Sequence, residues 1–196
     1  METKQTIFEK VDPEIGDLLV TRRDAIRKGA SVSSAVAAGL AIASVPAAIA
    51  VLAKDVFGQV PANIVAVLNF ALTLEYLEDE FYRTGLAAPV LIPAADRAIF
   101  AQISKHEVAH VALLKSVLGS QAVAKPTFDY TAGNGTGAGP FVGVFTVYST
   151  FQAIAQAFED TGVRAYKGQA GAVAGDDNIL TTALQIHSVE ARHAAE

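Results

Sequence analysis

Cysteine is absent from this 196-residue sequence, and the one methionine is Met1. Without thiols there can be no disulfide, no thiolate nucleophile and no cysteine-held zinc or iron–sulfur site. Lacking a usable thioether, the chain also has no methionine-ligated haem or copper centre. Any metal must therefore sit on carboxylate oxygen and imidazole nitrogen. A block of one charge sign is missing too. The formal charge is -5, and the acids are spread through helical segments, which gives nucleic acid no basic surface to bind.

Apolar residues make up 52% of the chain, enough for one domain with a substantial core and a short appendage. The appendage is residues 1–53. Thr21-Arg22-Arg23-Asp24-Ala25-Ile26-Arg27 resembles a twin-arginine export signal, although Ala25 stands where a bulky apolar residue is usual. Gly29 to Ala53 carries no charge, and Ala48-Ile49-Ala50 supplies a small-x-small cleavage pattern before Val51. The expectation is an exported protein of the periplasm or cell envelope. The alternative is an uncut membrane anchor over residues 29–53, which is long enough to span a bilayer.

Residues 60–196 read as four helices: Pro61 to Leu86, Pro93 to Leu118, Phe141 to Gln169, and one beginning at the capping candidates Asp176, Asp177 and Asn178. The β-branched run from Val142 to Tyr148 could also read as a short strand. Pro89 and Pro93 mark the first break, and Gly171 to Gly175 the last. Between the second and third helices lies a long glycine-rich segment, residues 120–140, which cannot be helical. Short loop, long crossover, short loop predicts an all-α bundle of two antiparallel helix pairs joined by one crossover.

Writing each helix at alternating spacings of three and four isolates its buried seam. The four seams run through Glu75 and Tyr82; Glu107 and His110; Glu159, Gly162 and Tyr166; and Glu190 and His193. Each seam is interrupted by a glutamate, and two add a histidine one turn later. Four unpaired carboxylates in an apolar bundle would cost many kcal/mol or be forced to protonate. Two divalent cations would cancel their charge. Glu75 and Glu107 are 32 residues apart across the first loop, and Glu159 and Glu190 are 31 apart across the last. Each pair therefore folds to one level, and glutamate, turn, Glu-x-x-His is a repeated unit.

Tyr82 and Tyr166 each lie seven residues after a lone glutamate on the same face, and are the candidate proton or electron donors. Glu78, Asp79 and Asp160 neighbour the ligands and could support or replace them, but read first as solvated helix acids. His187 could face the site, whereas His106 is expected at the surface, pointing away from Glu107. Gln152 could support the ligands.

The segments Asn69 to Tyr82, Glu107-Val108-Ala109-His110-Val111, Phe158 to Gly168 and Val189-Glu190-Ala191-Arg192-His193 resemble the ferritin-like domain family that includes desiccation-related proteins. The resemblance implies a ferritin-like four-helix bundle binding two iron ions, or alternatively two manganese ions. It implies Glu75 and Glu159 as terminal carboxylates, Glu107 and Glu190 as bridges, and His110 and His193 as the nitrogen ligand of one metal each. Without cysteine the chain lacks the rubredoxin-like centre of rubrerythrins, and no fifth helix suggests a storage cage. Three residues follow His193, so fraying is expected to loosen that half of the site.

The function expected from this is oxidation of the metals by oxygen or peroxide in a di-iron ferroxidase or peroxidase, or a manganese-catalase-like dismutation. The competing reading is a non-enzymatic, membrane-anchored accessory subunit with the bundle as its docking domain. A homodimer or a membrane complex would suit either.

Overall fold

The computed structural model of the chain describes residues 60–196. The expected signal or anchor over residues 1–53 lies outside the described residues. Those described form four α-helices and one short 3₁₀ turn, with no strand among them. Helix α1 is Ala62–Ala87, α2 Arg97–Leu118, α3 Tyr148–Val173 and α4 Asp177–His193. None is long and apolar enough to cross a membrane.

The helix ends follow local chemistry. Pro61 precedes α1, where a missing N–H costs nothing. Pro93 closes a turn instead of opening α2, its carbonyl accepting from the Asp96 and Arg97 amides, so α2 starts four residues later than the sequence pattern suggests. Gly119 ends α2 with φ 55, a conformation that glycine adopts freely. Asp176 caps α4, its carboxylate accepting from the Asn178 and Ile179 amides at 3.1 and 3.0 Å.

The start of α3 differs most from expectation. Residues 141–147 are turns, neither the expected helix nor a strand, and the helix begins at Tyr148. Val142, Val144 and Val147 are poor helix formers, and the Phe141 amide is tied back to the Thr131 carbonyl at 3.0 Å. Burying Val144 and packing Phe145 on Phe81 decide this segment. At its other end α3 runs on through Gly171 to Val173, which is buried and anchors the last turn.

Both helix pairs are antiparallel. Arg97, opening α2, donates to the Leu86 carbonyl near the end of α1 at 2.7 Å. Asn69, early in α1, grips the segment after α2 by donating to the Gln121 carbonyl at 2.9 Å and accepting from the Val123 amide at 2.8 Å. Gln156, early in α3, donates to the Ala194 carbonyl beyond α4 at 3.0 Å.

The core is split in two along the bundle. One cluster is mainly aliphatic, built on Ile64, Leu68, Leu72, Leu114, Ile179 and Ile186. The other is aromatic, with Phe81, Tyr82, Phe100 and Phe151 at its centre. Phe81 and Phe151 stack with ring centroids 4.7 Å apart and planes 7° from parallel. Each of these buried rings contributes about 2 kcal/mol relative to exposure. Between the two clusters lies a layer of carboxylates.

Candidate metal centre

Glu75, Glu107, Glu159 and Glu190 are each at most 2% exposed, and His110 and His193 are 7% and 6% exposed. Each helix brings its glutamate inward because the flanking seam residues are apolar. In α2, for example, Ile103 and Leu114 lie one turn either side of Glu107 and His110 and are buried. The sequence-predicted residues converge on one layer.

Their donor atoms form two overlapping sets. Glu75, Glu107, His110 and Glu190 can each offer an atom within 4.8 Å of the others, and so can Glu107, Glu159, Glu190 and His193. Glu107 and Glu190 belong to both sets. Around His110 Nδ1 lie Glu75 Oε2 at 3.1 Å, Glu107 Oε2 at 3.2 Å and Glu190 Oε1 at 3.1 Å. Around His193 Nδ1 lie Glu107 Oε1 at 3.1 Å and Glu159 Oε2 at 3.2 Å.

One Nδ1 atom carries at most one hydrogen, so it cannot satisfy three carboxylate oxygens. Glu107 Oε1 and both oxygens of Glu190 are buried with no hydrogen-bond partner. Such oxygens are costly unless a cation serves them. Ligands about 2.1 Å from one metal and at right angles are about 3.0 Å apart, close to these separations. The residues present fit a pair of divalent cations.

Electrostatics agree. Burial raises the Glu75 carboxyl from 4.5 to about 7 and the Glu190 carboxyl to about 9. Burial also acts upward on Glu107, but the His110 and His193 imidazoles beside it bring it down to about 2. For His193, burial opposes the charge, yet Glu107 and Glu159 lift it to about 9. His110 is lifted well above the usual imidazole range by Glu75, Glu107 and Glu190 against its burial. Raised values at Glu75, Glu190, His110 and His193 favour bound protons at these groups in the metal-free protein.

Each tyrosine closes one side of the layer. Tyr82 OH donates to Glu159 Oε1 at 2.5 Å from the aromatic core, and Tyr166 OH donates to Glu75 Oε1 from the aliphatic core. Burial and the facing carboxylates keep both phenols protonated. Three other residues depart from the sequence reading. His106 is not turned away to solvent: its Nδ1 lies 2.8 Å from His193 Nε2, with ring planes 9° apart, and its Nε2 meets Gln102 at 2.7 Å. Packing of α2 against α4 turns it there, and no helical seam would have found it. Glu78 is not a solvated acid: it is 2% exposed, and its Oε2 has no hydrogen-bond partner. Its spacing of three from Glu75 was the available signal.

Asp79 is buried away from solvent, but Arg83 holds both of its oxygens at 2.8 and 2.7 Å, outside the ligand sets. Asp160 is half-buried and belongs to neither ligand set. Likewise His187 is outside both sets, with a buried Nδ1 that has no hydrogen-bond partner. Gln152 is exposed and lines a cavity that reaches Glu159 and His193. The end of α4 is held, with His193 buried and the Ala194 carbonyl bound by Gln156.

A family model described as a ferritin-like domain matches residues 63–196. No match was found among curated proteins or solved structures.

Proposed function

This chain belongs to the ferritin-like domain family, and on that premise we propose that it is an exported protein holding two iron or two manganese ions and oxidising them with oxygen or peroxide. The observation that carries the reading is the pair of ligand sets sharing Glu107 and Glu190. Glu75 and His110 would complete one metal, Glu159 and His193 the other. Bound in the reduced state, the pair would supply two electrons together to an oxidant.

The chain's own residues do the rest. Two apolar clusters exclude bulk water from the carboxylate layer, strengthening every charge interaction in it. Tyr82 and Tyr166 donate to the outer oxygens of Glu159 and Glu75, fixing the direction of the terminal carboxylates and offering a proton beside each. His106 orients His193 through its second nitrogen, as partners of metal-bound imidazoles do. Export rests on the twin-arginine pattern at Arg22 and Arg23. The uncharged run 29–53 serves the same signal when cut before Val51 and would favour an anchored accessory subunit when retained, so the N-terminus of the mature protein separates these two readings.

Metal content of the protein as isolated, beside that of a Glu107→Ala/Glu190→Ala double variant, tests the centre. We expect about two ions per chain, lost in the variant, because both residues shared by the two ligand sets are removed. Wild-type protein that takes up no iron or manganese would sink the reading. Oxygen and peroxide consumption by the loaded protein tests the chemistry, and inactivity with both would favour the accessory subunit.

A further inference from the structure

We infer that the cavity against the Glu159 and His193 half of the centre binds a small uncharged organic molecule, and, resting on the function proposed above, that this molecule is an organic hydroperoxide. The cavity has a volume of about 190 Å³ and touches Glu159 and His193 but none of Glu75, Glu107, His110 or Glu190. About 10–15 Å³ of such space holds one water molecule, so the cavity has far more room than a two-atom oxidant needs. The cavities beside Tyr166, on the Glu75 side, hold only about 20 Å³ each. Among the cavities of the described residues, only this one gives an organic molecule of such size an approach to a metal position.

The walls choose the chemistry. Tyr82, Phe100, Ile103 and Ala155 are buried and give the inner part an apolar lining. Tyr82 OH is already committed to Glu159, and Tyr148 OH to Asp96 at 2.7 Å. No lysine or arginine lines the cavity, whereas Asp96, Glu159 and Glu196 do. An anion would meet three carboxylates with only His193 to oppose them, and a sugar-like molecule would find the buried phenols already taken, with amides offered only at the exposed Gln152 and Gln156. An uncharged molecule with a compact apolar body and one polar end fits. In the reaction, the O–O bond of the hydroperoxide would break as two ferrous ions supplied one electron each. The alkyl-bearing oxygen would take one proton from solvent to leave as the alcohol, and the hydroxyl oxygen would take another to leave as water.

The test uses the full-length chain in two arms. Tert-butyl alcohol, the expected product, is offered to metal-free protein, and saturation transfer to its methyl protons is recorded by NMR. Transfer is expected in the wild type and lost in Gln152→Trp and Ile99→Trp, which fill the mouth from exposed positions. Absence of transfer in the wild type, or equal transfer in both variants, overturns the assignment. In the second arm, iron-loaded proteins receive tert-butyl hydroperoxide or hydrogen peroxide. The ratio of the two rates should fall about tenfold in the variants, a typical effect of pocket size on discrimination. An unchanged ratio refutes the organic hydroperoxide. A chain that binds the alcohol but takes up no metal loses the hydroperoxide together with the metal reading, while the ligand class of the cavity stands.

Discussion

Gly162 on α3 lies so close to Glu190 on α4 that a methyl group added there would sit 2.6 Å from Glu190 Oε2. The absent side chain is what leaves room for a carboxylate belonging to both ligand sets. Gly162→Ala should therefore push the Glu190 carboxylate aside while sparing the helix, since alanine is the better helix former. The expected outcome is a thermally stable protein that binds fewer than two metals per chain, measured by metal analysis beside melting temperature. Full metal content in the variant would contradict it.

Metal-free protein should lose stability as pH rises. Glu75 and Glu190, at about 7 and about 9 when folded against an ordinary 4.5, hold protons that the unfolded chain has released, as does His193, at about 9 against 6.5. Their contribution is complete below the unfolded values and is lost as pH passes through the folded ones. Glu107, held at about 2, acts oppositely, contributing above 4.5 and losing that below it. The window of decline is thus about pH 5 to 9. Manganese(II) must displace these protons, so its stabilisation should grow over the same window, with protons released on binding. Melting curves with and without manganese check both signs, and a metal-free melting temperature that climbs with pH speaks against them.

His106 should matter to one half of the centre only. Removing it in His106→Ala leaves His193 Nε2 without its 2.8 Å partner. Loss of such a partner typically costs about 10–100-fold in metal affinity. Titration with manganese should show one weakened and one unchanged site. His106→Asn, whose amide can stand near the Nδ1 position, should restore part of the loss. Uniform weakening of both sites would assign His106 a general structural role.

Two backbone positions should respond in opposite directions. At Gly85, an added methyl would lie 2.3 Å from the fully buried Phe151 ring, so Gly85→Ala should destabilise by about 1–3 kcal/mol through overpacking. Val90 is fully exposed with φ 55, a left-handed conformation that a β-branched residue adopts only under strain. Val90→Gly should stabilise by up to about 1 kcal/mol, the relief being partly offset by the greater freedom of glycine when unfolded. Denaturant titration of both variants decides the matter.

The sequence by itself was enough for the four helices and for the six residues that converge between the two cores, because helical periodicity and two equal spacings across short turns are local properties. Glu75, Glu107, His110, Glu159, Glu190 and His193 stand out as polar interruptions of apolar seams, and an interrupted seam can be read without coordinates. Tertiary structure decided what depends on neighbours distant in sequence. Packing of α2 against α4 brought His106 onto His193, and burial made Glu78 an unpartnered acid although its helical position looked solvated. The start of α3 moved to Tyr148 because Val144 and Phe145 gain more from joining the Phe81 cluster than from extending a helix of β-branched residues. The cavity at Glu159 exists only where Tyr82, Phe100 and Tyr148 from three separate segments meet, so no linear pattern could have announced it.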